Sequence, residues 1–145
     1  MCAERESVVW GLAYASQGRL PDGEDAFVSF PPNRATPGAS NFLPLTNVVV
    51  NELLTHTDPP FEDAVELLNL SGETVDLGNW YLSNNRNEPM RYRIPANTPI
   101  APGGLRVFYQ YQFDPLGLGF SFNSYQNEQV VLSAGDGNGQ FTGYL

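Results

Sequence analysis

Short apolar runs, broken by clusters of Gly, Pro, Asn and Asp, recur along the whole chain. Residues 47–54 (NVVVNELL) and 64–70 (AVELLNL) are the clearest, rich in β-branched and aliphatic side chains. In the second run Val65 and Leu67 fall on one side of an extended strand, with Glu66 and Leu68 on the other. Successive strand side chains alternate between faces, so this is the pattern of a half-buried strand. Further runs lie at 7–16, 26–30, 74–77, 80–83, 91–94, 98–100, 105–111, 120–123, 129–133 and 140–145. No window holds apolar residues at the i, i+3, i+4, i+7 spacing of an amphipathic helix. The pattern predicts an all-β fold of about nine short strands with little helix, a sandwich or barrel.

The breaks carry turn chemistry. Pro21-Asp22-Gly23 and Ser71-Gly72-Glu73 read as tight turns, and residues 31–41 (PPNRATPGASN) as the one linker. Pro presets φ and Gly accepts the left-handed conformation, which is why such pairs punctuate strands. Gly103-Gly104 is expected to supply the positive φ of a hairpin between 98–100 and 105–111. Gly78 is expected to turn the chain so that Trp80 inserts as a core anchor.

Composition narrows the picture. A chain of 145 residues is one domain's worth, and its 41% hydrophobic content is enough for a core. The 14 Gly and 12 Pro are scattered and suit short strands better than long helices. Sixteen acids stand against seven basic residues, all Arg, for a net charge of −9. That surface repels phosphate backbones and anionic headgroups, so unaided nucleic-acid binding is disfavoured. Basic partners or cations are favoured instead. Cys2 is the single cysteine, which excludes an internal disulfide and a multi-Cys zinc site. No apolar stretch reaches the roughly 20 residues of a membrane span, and the acidic N-terminus is not a signal peptide.

Candidate chemistry is sparse. Glu52 and Glu66 sit on strands expected to be neighbours and form the best carboxylate pair, a spacing that acid/base work on a glycoside could use. Two solvated strand residues explain them better. Asp58, Glu62 and Asp63 share one loop and offer the hard oxygen ligands of Ca²⁺, the one cofactor the sequence suggests. Asp136-Gly137-Asn138 offers a weaker set, better read as a turn. His56, the only histidine, has no Gly-x-Ser-x-Gly elbow to serve, and Gly135, Gly137 and Gly139 precede a strand rather than a helix. Aromatic residues crowd 109–125, and the loop 112–119 is expected to present Phe113, Leu116 and Leu118 to a partner.

The runs NVVVNELL, DAVELLN, GETVDLGNWYLSNN and YRIPANTPIAPGGLRVFY resemble the lamin-tail domain, in its bacterial version, in order, spacing and turn chemistry. Its most specific pieces here are Leu77-Gly78-Asn79-Trp80 and Arg93-Ile94-Pro95 followed by Ile100 and Gly103-Gly104. The resemblance implies an immunoglobulin-like β-sandwich, and a non-catalytic structural or protein-interaction module of a larger exported or surface protein. An accessory domain targeting an attached nuclease or phosphatase is the alternative it leaves open. Residues 17–23 and 35–41 resemble the segment that closes the same domain. Residues 1–41 are therefore expected to end one repeat of a tandem array, and 47–145 to form the next without its last strands. Residues 7–30 would then fill the gap, within one molecule or in a strand-swapped homodimer, packing Val8, Val9, Trp10 and Phe27 or Phe30 on the sandwich. The partner is expected to be a protein or cell-surface structure outside the cell, with no membrane insertion.

The charge balance makes the first prediction. A labelled DNA duplex should show no change in fluorescence anisotropy on titration with the protein at physiological salt; saturable submicromolar binding would contradict it.

Overall fold

The computed structural model describes residues 16–32, 34–55, 57, 60–122 and 129–145. The chain divides into two compact units, Met1–Asn41 and Phe42–Leu145. In the first, strands β1 (Ser16–Arg19) and β2 (Phe27–Phe30) form an antiparallel hairpin with Ser16 opposite Phe30. Leu20 and Phe30 are buried, while Phe27 is exposed beneath the Arg19 guanidinium, which lies 4.9 Å from its ring centroid. The Asn41 side chain donates to the Arg19 carbonyl and its backbone N–H to the Asp22 carboxylate, tying the coil after β2 to the hairpin turn. Val8, Val9 and Trp10, expected to pack on a sandwich, lie outside the described residues.

The second unit is an immunoglobulin-like sandwich. One sheet runs β3 (Val48–Leu54), β4 (Ala64–Asn69), β9 (Leu105–Tyr109); the other runs β10 (Val131–Ser133), β6 (Tyr81–Ser83), β7 (Tyr92–Arg93). A short pair, β5 (Val75–Asp76) with β8 (Pro99–Ile100), completes it, and every pairing is antiparallel. β4 shows why the sheets close on each other. Val65 and Leu67 are fully buried while Glu66 and Leu68 are part-exposed, as their alternation predicts. Phe108 on β9, Leu82 on β6 and Leu132 on β10 meet them in one core.

The helix content is one turn, α1 (Gln110–Phe113), plus a 3₁₀ turn at Pro115–Gly117. The strand expected over 105–111 thus ends at Tyr109. There the Gln112 side chain reaches back to accept the Tyr109 N–H and the Glu62 carboxylate accepts the Tyr111 N–H, so the chain turns into α1 while the Gln110 N–H still bonds the Asp63 carbonyl in register with β4. Phe120 and Phe122 are buried without forming the expected strand. Residues 140–145 make isolated bridges, Gly135 to Phe141 and Leu43 to Tyr144, in place of a continuous strand.

Two turns work differently from expectation. In Leu77–Trp80 the left-handed residue is Asn79, at φ 70°, and the Trp80 N–H closes the turn on the Leu77 carbonyl at 2.9 Å. Gly78 is required for closeness: a β-carbon there would stand 3.0 Å from the backbone of Ala96 and Asn97. Trp80 is buried, as expected. At 101–104 only Gly103 has positive φ, and the Gly104 N–H returns to the Ala101 carbonyl at 2.8 Å. No hairpin results, because β8 pairs with β5 and β9 with β4. The turn is a corner carrying the chain from one sheet to another.

That corner is held by Asn69, the fully buried last residue of β4. Its Nδ2 donates to the carbonyls of Glu73 (2.7 Å), Ile100 (2.9 Å) and Ala101 (3.2 Å). Its Oδ1 accepts the backbone N–H and hydroxyl of Ser71 at 2.9 and 2.7 Å. Its backbone exchanges hydrogen bonds with Gly103 and Gly104. A buried amide satisfied on every side stabilises; the same carbonyls without it would carry a desolvation cost.

Equilibrium urea unfolding should therefore show Asn69→Ala destabilising by about 2–4 kcal/mol, more than one hydrogen bond is worth, because several groups lose partners together. Trp80→Ala should cost about 3–5 kcal/mol through the cavity it leaves. A loss under about 1 kcal/mol for either would contradict the assigned role.

Candidate interaction site

The loop that follows α1 carries the two most exposed large hydrophobic side chains among the described residues. At its base Phe113 stacks on Phe120, centroids 5.1 Å apart, and Phe122 sets its ring edge-on to both. Phe113 is 2% exposed and belongs to the core, so the expectation that it faces a partner is corrected. Its burial has a simple cause: three adjacent aromatic rings bury more apolar area against one another than any could in water. Leu116 and Leu118, by contrast, are 95% and 83% exposed. The Asp114 carboxylate accepts the Gly119 N–H at 2.8 Å, and the Leu118 N–H returns to the Pro115 carbonyl. A β-carbon at Gly119 would run into the Phe113 carbonyl, so glycine is required at this neck. Leu116 itself sits at φ 62°, a conformation that disfavours a side-chain-bearing residue. The loop thus holds two leucines in water on a closed, partly strained frame.

A second feature lies on the flank of the sandwich. β3 pairs only with β4 and β10 only with β6 among the described residues, so each has an open edge. Between them is a cleft of about 440 Å³ lined by Val48, Val49, Val50, Val130, Val131 and Leu132, with Leu45 and Leu145 at one end and Arg86 beside it. Residues 43–45 and 143–145 exchange backbone hydrogen bonds and shut the sandwich at that end. Local sequence could have suggested the cleft only through the continuous Val48-Val49-Val50 run, which is unusual on a strand with one neighbour.

The acidic residues are dispersed. Glu52 and Glu66 are cross-strand partners, as expected, and Glu66 accepts the Asn51 side chain at 2.7 Å. Both lie on the outer face of the β3–β4–β9 sheet. The Glu62 carboxylate accepts the Tyr111 N–H, whereas the buried Asp63 carboxylate accepts the N–H and hydroxyl of Thr57. Asp58 and His56 lie outside the described residues. Among the described residues no three His, Cys, Asp or Glu side chains converge on one point. No helix of the described residues is long and apolar enough to cross a membrane.

Asp136 caps its own turn. The Gln140 N–H above all, with those of Asn138 and Gly139 and the charge of Arg93, holds its carboxyl below the usual 3.8, outweighing the opposite push of desolvation.

The Lamin Tail Domain family model matches residues 44–142. No curated protein and no solved structure gives a significant match.

The lowered Asp136 value fixes a sign. A carboxyl depressed on folding adds stability that is whole above its usual value of 3.8 and vanishes as pH falls through the lower folded value. Thermal melts of the native protein and Asp136→Asn should differ at neutral pH and converge in strong acid; a gap that widens on acidification would contradict the cap.

Proposed function

The chain belongs to the lamin tail domain family, and we propose that within it this molecule is a protein-interaction module of an exported or surface-attached bacterial protein. The family is one of immunoglobulin-like interaction and structural domains, which a non-catalytic role fits. The observation that carries the reading is the closed loop Asp114–Gly119 with Leu116 and Leu118 held in solvent. Exposed aliphatic pairs on a fixed frame bind at low entropic cost, because the loop need not be ordered on docking. The partner is a protein with an apolar pocket, and the acidity of this chain favours one with a basic rim. A targeting domain beside an enzyme would use the same loop to place that enzyme on its substrate or surface.

A second reading is favoured by the open edges of β3 and β10: a homodimer in which an extended segment of one copy adds to the cleft of the other. Unpaired edges with an apolar floor are templates for strand addition.

Cross-linking at the surface of cells producing the full-length protein tests the first reading. Leu116→Asp with Leu118→Asp should abolish a discrete cross-linked product while leaving the melting temperature within a few degrees of native. An unchanged product would reject the loop. Sedimentation equilibrium tests the second: the native chain should dimerise with concentration and Val49→Asp should remain monomeric, whereas a monomeric native chain would reject strand exchange.

A further inference from the structure

The outer face of the β3–β4–β9 sheet is apolar where an outer face is ordinarily polar. Register places Leu54, Ala64 and Tyr109 in one row across it, Glu52, Glu66 and Val107 in the next, and Val49, Leu68 and Leu105 in a third. Leu54, Leu105 and Tyr109 are exposed. At one end Tyr111 lies parallel to Tyr109, planes 10° apart and centroids 6.2 Å apart, the two residues 62% and 45% exposed. Parallel rings at that separation are offset, so each keeps open face. Both are anchored: the Tyr109 N–H donates to Gln112, the Gln110 N–H to the Asp63 carbonyl and the Tyr111 N–H to Glu62.

We propose that this face docks a protein segment bearing arginine, the guanidinium stacking on the Tyr109–Tyr111 pair and forking onto the Glu52–Glu66 carboxylates one row away. Three observations select this occupant. First, like charges directly opposite on a sheet destabilise it, yet Glu52 and Glu66 are such a pair. Among the described residues neither forms an ion pair with an arginine of this chain. A cation from outside would remove the repulsion. Second, the flat offset tyrosines suit a planar group, and an arginine is planar where a lysine is a point charge. Third, the net charge of −9 draws basic segments and turns away nucleotides and anionic sugars, whose rings could also stack. This surface is separate from the Leu116–Leu118 loop, and it stands if that reading fails.

Three synthetic peptides probe it against the whole chain: Gly-Arg-Gly-Arg-Gly-Arg, its lysine counterpart and its citrulline counterpart, followed by amide chemical shifts. The arginine peptide should shift residues around Tyr109, Tyr111, Glu52 and Glu66, bind about fivefold or more tighter than the lysine peptide, and weaken with salt. The citrulline peptide should not bind. Tyr111→Ala and Glu66→Gln should each weaken the arginine peptide about tenfold and leave the fold intact, since Tyr111 is exposed and the Glu66 side chain faces outward from β4. Leu116→Asp should leave its affinity unchanged. Equal affinity for arginine and lysine peptides would reduce the interaction to charge attraction and overturn the proposal. So would shifts elsewhere on the molecule, or indifference to Tyr111→Ala.

Discussion

Much of the sandwich hangs on one buried amide. Asn69 ends β4, and from there it grips the turn that follows, the end of β8 and the corner leading into β9. These segments belong to different sheets. Apolar packing is permissive about registry, since many arrangements bury similar area. A side chain with fixed donors and acceptors is not permissive. Asn69 therefore decides which backbone carbonyls meet, and the core fills in around that decision.

The regular parts of the fold were legible because their causes are local. β4 buries Val65 and Leu67 and leaves Glu66 outward because alternation and burial act on the same residues. The Gly78-Asn79-Trp80 and Gly103-Gly104 turns were also visible, though the division of labour within each was not. Which residue takes the left-handed conformation depends on what backbone passes nearby, and for Gly78 that backbone is at residues 96–97. The break at Gln110 has a related cause: the Tyr109 and Tyr111 N–H groups are taken by the Gln112 and Glu62 side chains, the second of them 49 residues away in the chain.

The interaction surfaces were only half legible. Leu116 and Leu118 stood out as aliphatics in a Gly- and Pro-rich loop. Phe113 looked the same in sequence, and its burial depends on meeting Phe120 and Phe122 after the loop returns. The cleft was legible only through the Val48-Val49-Val50 run, because it is defined by which edges of β3 and β10 the described residues leave unpaired, a property of topology. Asn69 gives no local signal, because an Asn beside Ser-Gly reads as ordinary turn material, whereas the most distant partner of its side chain lies 32 residues along the chain.

Arg86 gives the cleft a selectivity of its own. Its guanidinium lies 4.9 Å from the Phe42 ring centroid, and the described residues offer it no carboxylate. A strand of purely aliphatic character entering beside β3 would offer that cation no counter-charge. An entrant with an Asp or Glu at the matching position would meet it instead. One exposed basic side chain at the rim is thus a device that would favour an acidic entrant over a purely apolar one at this edge.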